Sequence, residues 1–269
     1  MSADELIKHG DLAGALGALQ DVVRSDPSSA KHRVFLFQLL CVMGDWKRAV
    51  AQLKISAELD ETAMTMAQMY REAIICEVYR QKVFAGEKEA LVFGEPQEWV
   101  ALIIEAQKLL ATGNPTGAKD LRDKAFELAP AIKGQINGEE FSWIADADMR
   151  LGPLLEMIVN GRYFWMPFSA IKEITAEAPA DLRDCVWTPV NMKLQNGSDI
   201  VGLIPTRYSG TVASEDADAM LGRKTDWQDA GGEAFVGIGQ RLFATDQGDV
   251  GLMDLRKLTL DTVGASNDG

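Results

Sequence analysis

The sequence predicts a multidomain α+β chain. A TPR-like α-helical repeat domain spans residues 1–132. A C-terminal α+β domain follows over residues 133–269, built around a small antiparallel sheet or partly open barrel. Three observations predict this. A glycine-turn motif recurs at a helical-hairpin period through the first half. Past Pro130 the helical periodicity fades while Gly, Pro and Trp become more frequent. Strand-like runs joined by an Asn-Gly turn then take over. At 269 residues the chain exceeds the usual size of one domain, and its 47% apolar content can supply two cores.

The repeat consists of Gly10-Asp11-Leu12-Ala13-Gly14-Ala15, Gly44-Asp45-Trp46-Lys47-Arg48-Ala49 and Gly113-Asn114-Pro115-Thr116-Gly117-Ala118. Ala15 and Ala49 lie 34 positions apart, the TPR period; Ala49 and Ala118 lie 69 apart, two periods plus one residue. In each copy Gly accommodates a left-handed turn, and Asp or Asn accepts hydrogen bonds from the free N–H groups of the next helix. The small Ala allows two helices to approach closely. Pro27 and Pro130, each 12 positions after the Ala of its copy, end the second helix. Copy two has Glu61 in place of that proline, and copy one opens with a short helix from Ser2 to Lys8. Between copies two and three a longer helix is expected from Glu61 to Phe84. Gly86 and Phe93-Gly94-Glu95-Pro96 break it before another helix begins near Gln97.

In the second half, Gly134 to Gly138 reads as a turn-rich crossing and Leu151 to Val159 as a short helix. Arg162 to Met166 is aromatic, bounded by Gly161 and Pro167, and reads as a strand. Val186, Thr188, Val190, Met192 and Leu194 alternate with more polar neighbours. Asn196-Gly197 then turns the chain into a strand over Ile200–Ile204. Ala234 to Ile238 and Arg241 to Thr245 are further strands, Leu252 to Leu255 closes the sheet, and Gly264 to Gly269 is expected to fray.

Forty acidic against 27 basic residues leave a net charge of −13, which disfavours nucleic acid and anionic lipid as partners. The first ten residues lack the basic start and apolar run of a signal peptide, and the longest apolar stretch, Val34–Met43, is too short to span a bilayer. Cys41, Cys76 and Cys185 are scattered among apolar neighbours and read as buried reduced thiols. The expected compartment is the cytoplasm, without membrane insertion.

Catalytic signals are sparse. The two histidines, His9 and His32, read as a helix C-terminal cation and a solvated face. Asp146-Ala-Asp148 and Asp216-Ala-Asp218 lack the spacing of a calcium loop, and Gly237-Ile238-Gly239 lacks the third glycine and βαβ setting of a dinucleotide site. No catalytic residue, metal or cofactor is therefore expected. Interaction surface is a better candidate. Met64, Met66 and Met69 crowd one helix, where thioethers either form an adaptable groove or fill an irregular core. If paired helices stack, Val34, Gln38, Ile103 and Gln107 face the concave side, and Met66, Met69 and Tyr70 form its floor or wall. These seven residues are the candidate partner-binding set.

Phe93–Pro96, the run from Asn160 to Phe168, Arg207-Tyr208-Ser209-Gly210-Thr211, Leu221–Trp227 and Gly237–Phe243 together resemble the ImpE family, also called TagJ, from about residue 4 to 260. That resemblance implies an accessory component of type VI secretion with a TPR-like N-terminal region and an α+β C-terminal domain. It further implies a protein partner, the N-terminal helix of the small sheath subunit, a link to recycling by the ClpV ATPase, and no catalytic residues. Two alternatives stay open: a hydrolase with a site in the β half, and a regulator sensing a small ligand there or between the domains.

Overall fold

The computed structural model describes residues 1–94 and 97–262; Glu95-Pro96 and the tail expected to fray lie outside the described residues. Seven α-helices form the first half: α1 (Ala3–Lys8), α2 (Leu12–Ser25), α3 (Ala30–Val42), α4 (Trp46–Leu59), α5 (Met64–Phe84), α6 (Glu98–Ala111) and α7 (Pro115–Leu128). α1 packs on α2, α3 on α4, and α6 on α7. The turns of these hairpins are the three repeat copies. Gly10, Gly44 and Gly113 have φ of 79, 73 and 82°. Asp11, Asp45 and Asn114 accept from the backbone N–H of Gly14, Arg48 and Gly117. Ala15, Ala49 and Ala118 are buried at the helix contacts. α5 has no such mate after it. It packs along α4 and against the sheet, and the segment that follows joins that sheet.

The small antiparallel sheet or barrel expected for the second half is instead a large mixed sheet. Its strands are β1 (Leu91–Val92), β2 (Gly134–Ile136), β3 (Glu139–Phe141), β5 (Leu154–Val159), β6 (Arg162–Pro167), β7 (Ile171–Ala176), β8 (Trp187–Leu194), β9 (Asp199–Pro205) and β14 (Lys257–Leu260). They run in the order β1-β6-β5-β9-β8-β7-β14-β2-β3. β1 pairs parallel to β6, so a strand from the helical half makes the sheet mixed. A three-stranded sheet of β4 (Ile144–Asp146), β12 (Leu242–Thr245) and β13 (Gly248–Gly251) stands apart. A hairpin of β10 (Thr225–Asp229) and β11 (Phe235–Gly239) completes the fold, with a short α8 (Ala217–Met220) before it.

Two local expectations are corrected. Leu154–Val159 is not a helix but β5, buried along its whole length. Apart from Glu156 the run is apolar and carries no period, and only the presence of a layer on each side of the sheet decides in favour of a strand. Leu252–Asp254 is a 3₁₀ turn, and the closing strand is β14. The Asn196-Gly197 hairpin stands as read: Gly197 has φ of 86° and β8 pairs antiparallel with β9.

The sheet divides two cores by side-chain alternation. Leu154 and Ile158 of β5, Tyr163 and Trp165 of β6, Trp187 and Leu203 pack with the helices. Leu155, Met157, Val159, Met166, Val190 and Met192 pack on the opposite side, with Phe243 of the three-stranded sheet and Leu252, Leu255 and Leu258. One apolar cluster is thus shared by the helical half and the β half.

Gly44 marks where the halves touch: a Cβ there would stand 2.8 Å from Cγ1 of Val212, whereas one at Gly113 would meet nothing within 4 Å. Left-handed backbone costs a non-glycine residue about 1–2 kcal/mol, and overpacking typically adds about 1–3 kcal/mol. In urea unfolding, Gly44→Ala is expected to lose clearly more stability than Gly113→Ala. Equal losses would mean that the Val212 contact contributes nothing.

Candidate functional site

β5 carries a carboxylate in the middle of the face it turns to the helices. Glu156 is fully buried between Leu154 and Ile158. Its Oε1 accepts from Arg80 Nε at 2.6 Å and from the Tyr163 hydroxyl; its Oε2 accepts from Arg80 Nη2 at 2.8 Å and from Arg241 Nη2. Arg80 reaches down from α5, where the inward stripe Ala67, Tyr70, Ile74, Glu77 and Arg80 follows helical spacing. The same guanidinium donates to Glu77 at 3.3 Å and to the Arg207 carbonyl at 2.9 Å. The Trp187 indole N–H donates to Glu77 at 3.1 Å. Arg241 also contacts Asp146, and Asp148 holds Arg150. A buried chain of charges therefore fastens the helices to the sheet.

Burial alone would raise the Glu156 carboxyl, but Arg80 and Arg241 outweigh it and hold the group down at about 2. Burial and the adjacent Glu156 push the Tyr163 hydroxyl well up, which keeps it a donor. Glu156 is thus an ion-paired group locked in place rather than one exchanging protons near neutrality, whereas burial pushes the Asp146 carboxyl beside Arg241 up to about 7.

Most of the remaining chemistry-bearing residues have structural partners; the buried Nδ1 of His32 has none among the described residues. Asp146 accepts from the Asp148 N–H and Asp148 from the Gly237 N–H, besides their arginines. Asp216 caps α8 and pairs with Lys224, and Asp218 pairs with Arg223. His9 ends α1, with Nδ1 2.7 Å from the Glu5 carbonyl. His32, expected on a solvated face, is half-buried in α3. Burial raises all three thiols, Cys76 to about 12. Gly237 and Gly239 are sites of close approach, where a Cβ would fall 2.1 Å from the Tyr208 ring and from the Lys224 carbonyl respectively. Among the described residues no group of three or more His, Cys, Asp or Glu could hold a metal ion, and no helix is long and apolar enough to cross a membrane.

Of the seven candidate contact residues, four are buried: Gln38, Tyr70, Ile103 and Gln107. Gln38 accepts from the Leu182 N–H, and Gln107 donates to the Phe84 carbonyl. Tyr70 packs between Phe37 and Trp187, with Arg183 over its ring. Ile103 and Gln107 border Met149 and Arg150. Much of the face that stacked helix pairs would offer a partner is thus covered by this chain's own β half. Val34 and Met66 are half-buried, and Met69 is 41% exposed.

Met69 does line a groove. With Met64, Gln68 and Glu72 of α5 it faces Ile158, Pro189, Val201 and Leu203 of the sheet across about 530 Å³. Met64 is 57% and Val201 69% exposed, an unusual degree for large apolar residues set side by side. Past Pro189 and Val201 the groove meets a second hollow of about 320 Å³, walled by Glu177, Asp181, Asp184 and Arg183. Met64, singled out in sequence with Met66 and Met69, lies outside the seven-residue set, and Val201 gives no sequence signal because a valine in a strand does not announce exposure. Only the packing of α5 across β9 reveals it.

Fold and site together define an α+β protein in which a helical layer is bolted to a mixed sheet and a surface groove, rather than a set of reactive groups, is on offer. The model of the family described as ImpE protein matches residues 138–259. The type VI secretion system accessory component TagJ of Pseudomonas aeruginosa is 50% identical over 265 residues, covering 98% of this chain and 93% of that protein. The crystal structure of protein VPA1032 from Vibrio parahaemolyticus superposes with a TM-score of 0.87 at 26% identity, over 97% of each chain. The chain belongs to the ImpE/TagJ family of type VI secretion accessory components.

Replacing Glu156 by Gln leaves Arg80 and Arg241 buried without their shared anion, and breaking such a pair costs roughly 3–5 kcal/mol. Because the carboxyl is lowered from 4.5 to about 2, its contribution is complete above pH 4.5 and is lost as pH falls towards 2. The stability gap between wild type and Glu156→Gln, measured by urea unfolding, is expected to narrow over that window. A gap constant with pH would remove Glu156 from this role.

Proposed function

We propose that the protein acts as a non-catalytic adaptor in a type VI secretion system. In this role it captures an amphipathic helix of a contractile-sheath component, the small sheath subunit, and so assists sheath assembly or ClpV-linked recycling. The carrying observation is the apolar groove between α5 and β9, in a chain 50% identical over nearly its whole length to a type VI accessory component. An amphipathic helix lays its apolar stripe into such a groove through side chains at i, i+3, i+4 and i+7. Methionines suit this task because an unbranched thioether adjusts to the shape of its guest. Glu72, Glu177, Asp181 and Asp184 at the groove and its extension, in a chain of net charge −13, favour a partner whose polar flank is basic.

Among the residues singled out from sequence, Met69 is the contact this reading retains, joined by Met64 and Val201. Val34 and Met66 lie partly open on the helical half and can extend the surface. Gln38, Tyr70, Ile103 and Gln107 would serve it indirectly, by holding the layers in place.

Each large apolar side chain buried on docking contributes about 1.5–3 kcal/mol. The double variant Met64→Glu, Met69→Glu is therefore expected to keep its circular dichroism spectrum and bind a synthetic small-sheath-subunit N-terminal peptide at least about tenfold more weakly by calorimetry, because the carboxylates would lose water on docking. Ile103→Asp, buried in the chain's own core, is expected to unfold the protein instead. Wild-type affinity in the folded double variant would move the partner away from α5.

A further inference from the structure

Three arginines line one open cavity of this acidic protein. A cavity of about 490 Å³ lies between α5 and the segment from Arg207 to Ala213, bordered by exposed Gln81. That volume is within the range of small-molecule sites, about 300–1,000 Å³. Arg80, Arg150 and Arg207 line it, against a single carboxylate, Glu77.

The other acids that accompany these arginines lie outside the lining. Glu156 holds Arg80 and Asp148 holds Arg150, each as part of the sheet-side network. Arg207 is buried, and among the described residues no carboxylate lies within ion-pair distance of it. Its Nη1 donates to the carbonyls of Val42 at 2.8 Å and Met220 at 2.5 Å, and its Nη2 to Cys41 at 3.4 Å. Those carbonyls end α3 and α8, and a helix C-terminus carries only a partial negative charge. Burial accordingly pulls the Arg207 guanidinium down to about 10, still protonated at neutral pH.

The walls are aromatic as well as charged. Phe84 lies under two guanidinium groups, Arg150 at 4.6 Å and Arg80 at 5.6 Å from its centroid, and Trp46 adds a second ring to the lining. Arg80 and Arg150 are balanced by Glu156 and Asp148, so, among the described residues, the guanidinium with no carboxylate partner on this wall is that of Arg207. A charge on a low-dielectric wall attracts an anion more strongly than the same charge in water.

We propose that this cavity binds a small organic anion, its carboxylate or phosphate head facing Arg150 and Arg207 and its flat apolar body against Phe84 and Trp46. The site is separate from the groove between α5 and β9, so it stands whether or not a sheath helix docks there.

Benzoate and phenyl phosphate are suitable probes on the full chain, with phenol as the neutral control, followed by saturation-transfer NMR and thermal shift. At low ionic strength at least one anion should bind saturably and raise Tm, with affinity falling as salt screens the charges. Phenol should bind at least about tenfold more weakly, the loss of one good charge-assisted contact. Arg150→Gln should weaken the anion by a similar factor. Should that variant fail to fold with Asp148 unpaired, Gln81→Glu keeps the test open: it alters only an exposed residue at the cavity border and should weaken binding about threefold. Absence of binding by both anions at concentrations on the order of 10 mM would overturn the proposal. So would affinity indifferent to Gln81→Glu and equal for phenol.

Discussion

A carboxylate without access to water stays ionised only where cations and donors replace the solvation it has lost. Glu156 has that replacement from three directions: Arg80 from α5, Tyr163 from the neighbouring strand, and Arg241 from just before β12. Remove either arginine and an unbalanced charge stays in an interior that cannot solvate it; remove the Tyr163 hydroxyl and the carboxylate loses a hydrogen bond that water cannot replace. The consequence is positional. An apolar helix can slide on an apolar sheet with little change in energy, whereas a guanidinium bound through two nitrogens to one carboxylate admits one placement of α5. Trp187, stacked on Tyr70 and donating to Glu77, continues that registration towards α3 and α4. The aromatic cluster and the charged chain thus fix the same contact by different physics.

Once α5 is placed, its exposed side is placed too. Met64 and Met69 lie across from Val201 because Arg80, roughly three to four helical turns further on, is tied to β5. Gly161 adds a close approach at the same edge: with φ of 69°, a Cβ there would stand 2.8 Å from the Glu72 carboxylate. The groove is therefore rigid along its α5 wall and adaptable through its methionines, a combination that suits a guest helix of fixed pitch but variable side chains. A site made of reactive groups would need its charges open to substrate. Here most of them face one another, and Arg207 and the cavity it lines are the exception.

The helical hairpins were legible because each rests on local chemistry: a left-handed glycine, a capping Asp or Asn, and a small buried Ala recur within six residues of chain. The β8–β9 hairpin was legible for the same reason, through alternation and Asn-Gly. What failed was non-local. β5 reads as a helix because, Glu156 aside, both its faces are apolar, and that is the mark of a strand with a layer on each side only once those layers exist. The sheet was judged small because β1 is two residues long and β2 and β3 three each, so none announces itself. The burial of part of the candidate contact set is informative. Tyr70, Ile103 and Gln107 do lie on the inward face of the helices, but that face is covered by the protein's own β half.

That substitution bears on how the two halves can behave. In a free-standing helical stack the concave face is available, and each hairpin contacts only its neighbours. Here the helical cluster extends without a break into Leu154, Ile158, Trp165 and Trp187 of the sheet, and the N-terminal half donates β1 to that sheet. Separating the halves would expose these large side chains and leave Glu77, Arg80 and Glu156 without partners. Burial of apolar area and pairing of buried charge both oppose it, so the interface is expected to open with global unfolding rather than ahead of it. A partner must then bind an exterior already formed, and on the reading proposed above the exposed groove beside α5, not the buried face of the helical stack, is where it docks.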